Sequence, residues 1–76
     1  MEKIKITKKI NNYISLEYEK NNLDIFHIWY TGKIHAYDCL YDNIEKKFFA
    51  FSTLHSFLTY SQKEKIIKEI KKIQEA

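Results

Sequence analysis

Two strands joined by a tight turn are predicted between Leu23 and Asp42, where the sequence reads LDIFHIWYTGKIHAYDCLYD. Its first half is rich in β-branched and aromatic side chains, which favour strands. Gly32 follows at once, and glycine takes a positive φ without strain, so we expect the turn at Thr31 and Gly32, extended by Lys33 in a three-residue loop. The stretch therefore predicts an antiparallel β-hairpin.

A third strand is predicted at residues 48–51, which read FFAF. Asp42 and Asn43 are typical turn residues and begin the connection to it. Strands that follow one another through short turns usually pair as neighbours. The middle of the chain is therefore expected to form a three-stranded antiparallel meander.

The first 20 residues carry two competing patterns. Ile6, Ile10 and Ile14 have the spacing of a helix, whereas residues 13–20 alternate apolar and polar side chains as a strand does. We expect a short helix or an irregular segment over 3–12 and a strand over 13–20, which would add a fourth strand to the sheet. One helix over 3–20 is the alternative.

The C-terminal segment is predicted to be an amphipathic helix over residues 62–75. Ser61 and Glu64 fit a capping box, in which each side chain bonds the other residue's backbone amide. An apolar stripe follows at helical spacing: Ile66, Ile67, Ile70 and Ile73. A short helix over Leu54, Phe57 and Leu58, capped by Ser52 or Thr53, is expected before it.

These elements predict one α+β domain over residues 1–76, with a single-layer antiparallel sheet of three or four strands. The isoleucine stripe needs an apolar partner, so the C-terminal helices should pack on one face of the sheet. The other face is then open to solvent or to another protein. A chain of 76 residues has a thin core and little room for an enclosed active site.

Composition favours an intracellular protein from an AT-rich genome. Cys39 is the single cysteine, so the crosslinks of small secreted domains are excluded. The apolar runs are far shorter than the roughly 20 residues that span a bilayer, and we expect a cytoplasmic protein without membrane contact. All 13 basic residues are lysine, and Ile, Asn, Tyr and Phe are plentiful, as AT-rich codons dictate. A phage or another mobile element is a natural source.

A partner-binding surface is predicted from the alternation of side chains along the second strand. Ile34, Ala36 and Leu40 should lie under the helices, which leaves the tyrosines, His35 and Cys39 on the outer face. With a three-residue loop, Trp29 is opposite His35 and His27 opposite Tyr37. Aromatic residues dominate protein interfaces, and the predicted contact residues are His27, Trp29, His35, Tyr37 and Tyr41.

No motif indicates catalysis, a metal or a cofactor. His27, His35 and Cys39 would cluster in this register, but a zinc site usually has four ligands at paired spacings. Cys39 beside a histidine lacks an orienting group and an oxyanion loop. The one glycine lies in a turn, so no phosphate-binding loop is expected. We therefore expect a protein that is not an enzyme.

Nucleic-acid binding is the alternative function. Lysine clusters neutralise phosphates, and the candidate phosphate contacts on the last helix are Lys65, Lys68, Lys71 and Lys72. Arginine, which recognises phosphates and bases through two parallel hydrogen bonds, is absent. Glutamates alternate with these lysines, as on an ordinary solvated helix face.

The favoured function is a small protein-binding module that modulates or inhibits a host protein complex, such as a nuclease or defence system. The order of strands followed by helices is similar to that of some small anti-CRISPR inhibitors, although no motif identifies a family. Inhibitors that mimic DNA are strongly acidic, and the charge of +3 disfavours that class. The expected partner is a host protein, and a homodimer is a further option.

Overall fold

The computed structural model describes residues 4–76 of the chain. Five antiparallel strands form one meander sheet in the order β1-β2-β3-β4-β5, followed by one C-terminal helix. The elements are β1 Lys5–Lys9, β2 Ile14–Glu19, β3 Asn22–Thr31, β4 Ala36–Asp42, β5 Lys47–Phe49 and α1 Tyr60–Glu75. The predicted α+β class and the meander are confirmed, and the strand predicted over 13–20 is β2. The sheet has five strands where three or four were predicted, and β1 is the additional one.

The N-terminal segment is a β-hairpin, so both helical predictions for it are wrong; residue 3 lies outside the described range. Strand β1 pairs with β2, with Ile6 opposite Tyr18. The Oδ1 atom of Asn11 accepts hydrogen bonds from the backbone nitrogens of Tyr13 and Ile14, at 2.8 and 2.9 Å, and so closes the turn. The helix-like spacing of the isoleucines spans this hairpin, with Ile6 in β1, Ile10 in the turn and Ile14 at the start of β2.

The central hairpin has a four-residue loop, one residue longer than predicted. Thr31 pairs with Ala36, and the backbone N–H of Gly32 donates to the carbonyl oxygen of His35 at 2.9 Å. Gly32 does not take the predicted positive φ. Trp29 is opposite Asp38 instead of His35, so β4 is displaced by three residues along β3 from the predicted register. Because side chains alternate along a strand, a displacement by an odd number of residues moves every β4 side chain to the other face.

The helix α1 begins two residues earlier than predicted. Thr59 is the N-cap, and its side chain accepts a hydrogen bond from the backbone nitrogen of Gln62 at 3.2 Å. The Gln62 side chain accepts in return from the Thr59 backbone nitrogen at 2.8 Å. Threonine and glutamine thus form the capping box that was predicted for Ser61 and Glu64.

The residues between β5 and α1 form an extended connection, so the predicted short helix over Leu54, Phe57 and Leu58 is wrong. The predicted third strand ends early, at Phe49, because Ala50 has a positive φ of 55°. The backbone N–H of Ser52 then donates to the Asp38 carbonyl at 2.9 Å. The connection therefore lies along the edge of β4. Its backbone groups form hydrogen bonds with β4 and so are not available for a helix.

The core lies between one face of the sheet and α1. Helix residues Ile66 and Ile70 are buried against it. Lys8 of β1 reaches Glu69 of α1, with 3.0 Å between Nζ and Oε2, and this hydrogen bond lowers the pKa of Glu69. The buried core residues are Ile14, Leu16, Phe26, Ile28, Cys39, Tyr41, Leu58, Ile66 and Ile70. Over residues 4–76, no helix has the length and apolar character needed to cross a membrane.

Candidate functional site

The sheet face opposite α1, called here the open face, is the main exposed surface built by the strands. Phe26 and Ile28 of β3 are buried beneath α1, so their neighbours on the same strand project to the other side. The pairing of β3 with β4 adds residues beside them, since Trp29 is opposite Asp38 and His27 opposite Leu40. The centre of the open face consists of Ile25, His27, Trp29, Asp38, Leu40 and Phe49.

Trp29 is exposed yet fixed at the centre of the open face. Its side chain is 38% exposed, and its ring stacks on that of His27, with centroids 4.4 Å apart. The Nε2 atom of His27 lies 2.8 Å from Oδ2 of Asp38. The Asp38 backbone N–H in turn donates to the Ser52 hydroxyl at 3.0 Å. These contacts hold the indole in one position on the open face.

The rim of the open face carries charges of both signs. Lys5 and Glu17 lie 3.8 Å apart across β1 and β2. A hollow of about 190 Å³ lies beside His27 and is bordered by these two side chains and by Ile25. Three lysines and four carboxylates share the face, which gives it almost no net charge: Lys5, Lys9, Lys47, Glu17, Glu19, Asp38 and Asp42.

The predicted contact cluster is divided between two faces. His27 and Trp29 lie together on the open face, as predicted. Tyr37 and Tyr41 lie on the opposite face, towards α1, and Tyr41 is only 2% exposed. His35 is in the exposed loop between β3 and β4, with its ring 6.0 Å from that of Tyr37. The cause is the four-residue loop, which exchanges the faces of β4.

Sequence reasoning missed the β4 and β5 members of the open face. Leu40 was predicted to lie under the helices, but it lies beside His27 on the open face. Asp38 and Phe49 were not predicted as contacts, although both belong to the centre of this face. Trp29 was predicted on the outer face through a pairing with His35, and it lies on the open face although its partner is Asp38.

The tyrosines beneath α1 have a structural role. Tyr37 stacks on Phe57, with centroids 5.4 Å apart, and Tyr30 lies 5.9 Å from the same ring. The ring of Phe51 also belongs to the cluster and packs edge-to-face with that of Phe57, with centroids 5.5 Å apart. These rings pack the extended connection before α1 onto the sheet. Tyr37 is therefore part of the packing and not of the open face.

Cys39 is buried beneath α1 and is remote from the histidines of the predicted cluster. Its side chain faces the core, whereas His27 faces the other way. Burial is the main cause that raises the pKa of the Cys39 thiol to about 12, and the nearby Asp38 carboxylate adds to it. Among residues 4–76, no three potential ligands are grouped as a metal site requires.

We expect the Cys39 thiol to be unreactive in the folded protein. A thiolate is the reactive species, and a pKa of about 12 leaves very little of it at pH 8. Alkylation by iodoacetamide, followed by mass spectrometry, should label the protein in concentrated guanidinium chloride and leave it unlabelled in buffer. Rapid labelling of the folded protein would show that Cys39 is accessible.

The four predicted lysines of α1 share the solvent side of the helix, opposite the buried Ile66 and Ile70. Lys65, Lys68 and Lys72 are spaced by three and four residues and are therefore neighbours on the helix surface. Lys72 lies 3.5 Å from Glu69, and Lys68 and Lys71 border a groove near β5. All four are on the side of the sheet opposite Trp29.

Comparisons with known proteins leave the site to be interpreted from its own geometry. No protein-family model matches the chain, and neither the curated proteins nor the solved structures include a significant match.

Proposed function

We propose that the protein is a non-enzymatic protein-binding module that contacts its partner with the open face. The observation that carries this proposal is the exposed indole of Trp29, fixed by stacking on His27 and by the hydrogen bond from His27 to Asp38. Tryptophan is the residue most enriched among side chains that dominate binding energy. An aromatic ring that is already ordered loses little conformational entropy on association.

The arrangement around Trp29 supports the same proposal. Leu40 lies opposite His27, Phe49 lies beside Leu40, and Ile25 follows on the same face, so these residues add apolar area next to the ring pair. Asp38 and Glu17 are the charged neighbours of the pair, and the other charges of the face lie further out. Protein interfaces typically have an apolar centre and a polar rim. Lysines and carboxylates on the rim would orient a partner of complementary charge pattern. The hollow beside His27 would accept a partner side chain.

The biological setting is part of the proposal. The lysine-rich, arginine-free composition supports an origin in an AT-rich genome, such as that of a phage or mobile element. A small module of this origin would act in the cytoplasm by occupying the surface of a host protein, for example a component of a nuclease or defence complex. A homodimer through the open face is the competing arrangement.

Nucleic-acid binding by the open face is a weaker proposal because this face has no excess of positive charge beside its exposed ring. Single-stranded nucleic acids are bound where stacking rings and basic side chains share one groove. The open face has the exposed indole but almost no net charge. The lysines of α1 are on the other side, and Lys72 is engaged by Glu69.

Replacement of Trp29 by alanine should weaken the partner complex by more than about 1 kcal/mol, because truncation removes the central anchor of the interface. The partner is first captured from the host with the tagged protein and then titrated as a purified protein by calorimetry. Leu54→Ala is the matched control, since Leu54 is a fully exposed apolar residue in the connection between β5 and α1, outside the sheet.

Three outcomes of this experiment are informative. Weaker binding by Trp29→Ala alone, with its circular dichroism unchanged, supports the proposal. Equal affinities of the Trp29→Ala and Leu54→Ala proteins contradict it. A dimer that sedimentation detects in the wild type and that Trp29→Ala dissociates would assign the open face to self-association instead.

A further inference from the structure

A groove between α1 and the edge strand β5, called here the helix–edge groove, is a second concave surface of about 350 Å³. Its floor is apolar and its rim is basic. The floor is made by Phe48 of β5 and by Tyr60 and Ile67 of α1, and the rim by Lys63, Lys68 and Lys71. It lies on the helix side of the sheet, so it is separate from the open face.

The floor of the helix–edge groove is held rigidly. The ring of Phe48 packs against the buried Tyr41, with centroids 4.7 Å apart. The ammonium group of Lys63 lies 5.6 Å from the centre of the Phe48 ring and 6.0 Å from that of Phe51. Cation–π contacts of this kind fix the lysine stem across the ring. Lys63 thus stands at the boundary between floor and rim.

The charge of the rim is not balanced by the protein. Over residues 4–76, none of Lys63, Lys68 and Lys71 forms an ion pair with a carboxylate. Glu64 is the single acidic residue that borders the groove, and its hydrogen bond with the Tyr60 hydroxyl raises the pKa of that tyrosine. Three cations therefore surround an apolar floor with one carboxylate among them.

We infer that the helix–edge groove binds an acidic peptide segment of a partner protein. One large apolar side chain of the segment would cover Phe48 and Ile67, and its carboxylates would pair with the lysines of the rim. A nucleic acid is disfavoured because all the cations of the rim are lysines, and no arginine is present to make the paired hydrogen bonds that recognise phosphates and bases. A small ligand requires a more enclosed cavity, since bound small molecules usually lose most of their exposed surface. The inference is independent of the proposed function of the open face.

Three fluorescein-labelled peptides test the inference by anisotropy. The first has alternating carboxylates around a central tryptophan, the second has alanine in place of that tryptophan, and the third has lysines in place of the carboxylates. We expect the first peptide alone to bind. With ¹⁵N-labelled protein, its amide shift changes should centre on Phe48 and Ile67, and Trp29→Ala should leave its affinity unchanged.

Charge reversal provides a matched pair of variants. Lys68→Glu with Lys71→Glu should weaken binding of the first peptide by about tenfold or more, through loss and reversal of two ion pairs. Lys65→Glu with Lys72→Glu makes the same change in net charge on α1 outside the groove, where no ion pair with the peptide is expected, and should weaken binding by only about twofold to threefold. Thermal unfolding of both double variants checks that α1 remains folded.

Several results would overturn the inference. These are equal loss of affinity in the two double variants, equal binding of the alanine peptide, and shift changes centred on Trp29. No binding of the first peptide up to about 1 mM would also refute it. Displacement of the bound peptide by oligothymidylate would reassign the groove to nucleic acid.

Discussion

Ile66→Ala is expected to lower the free energy of unfolding by about 2–5 kcal/mol. The Ile66 side chain is fully buried between α1 and the sheet. Its truncation removes apolar contacts and leaves a cavity that the rigid sheet cannot close. Alanine has the higher intrinsic helix propensity, so the helix itself would not account for the loss. Urea unfolding followed by circular dichroism measures the effect.

The control for Ile66→Ala is Ile34→Ala, which changes the same side chain where it is 86% exposed. We expect this control to alter stability by less than about 0.5 kcal/mol. A loss below about 1 kcal/mol at Ile66, with unfolding still cooperative, would mean that α1 does not dock on the sheet as described.

The adjacent substitutions Tyr41→Asn and Leu40→Asn are expected to have opposite consequences. Tyr41 is buried beneath α1. Loss of its ring should lower the free energy of unfolding by about 3–5 kcal/mol, and burial of the asparagine amide should lower it by about 1–3 kcal/mol more. A small domain has a total stability of about 5–15 kcal/mol, so the variant should be largely unfolded or close to it.

Leu40→Asn changes the neighbouring residue on the open face and should cost only about 1 kcal/mol, mainly through lower strand propensity. Circular dichroism and urea titration of both variants give the comparison. The reverse result, with Leu40→Asn unfolded and Tyr41→Asn stable, would contradict the observed pairing of β3 with β4. It would support the predicted three-residue loop, with Leu40 under the helix. Comparison of the two variants thus shows which set of alternate β4 side chains faces α1.

The sequence was sufficient to predict the elements built on strong local patterns. The β-branched and aromatic residues before Gly32 identified β3, and the isoleucine stripe identified α1. The class and the meander follow from these patterns, because short connections leave few alternatives. Trp29 was placed on an outward face, although the burial of Phe26 and Ile28 was not predicted.

The faces of β4 could not be predicted because they depend on the length of one loop. Loops of three and four residues are both common in hairpins, and the choice is made by backbone geometry around His35 and Gly32. The observed register differs from the predicted one by three residues, an odd number, and this exchanged Tyr37 and Tyr41 with Asp38 and Leu40. The N-terminal hairpin was obscured for another reason, since isoleucines in two strands and in the turn between them have the spacing of a helix.

The candidate site was predictable only in part for a related reason. Binding of a partner leaves no motif of fixed residue types and spacings, unlike a metal or a phosphate. Its signature is a set of side chains that tertiary structure brings together. His27 and Trp29 lie on one strand and could be grouped from the sequence, whereas Asp38 joins them only through strand pairing.

The meander order has a consequence for co-translational folding. Each strand pairs with the one before it, so hairpins can close as soon as they leave the ribosome, with little loop entropy to overcome. The apolar side of the sheet nevertheless stays bare until α1, the last element, has been synthesised. A nascent chain is therefore most prone to aggregate, and most dependent on chaperones, in the interval before residues 60–75 emerge.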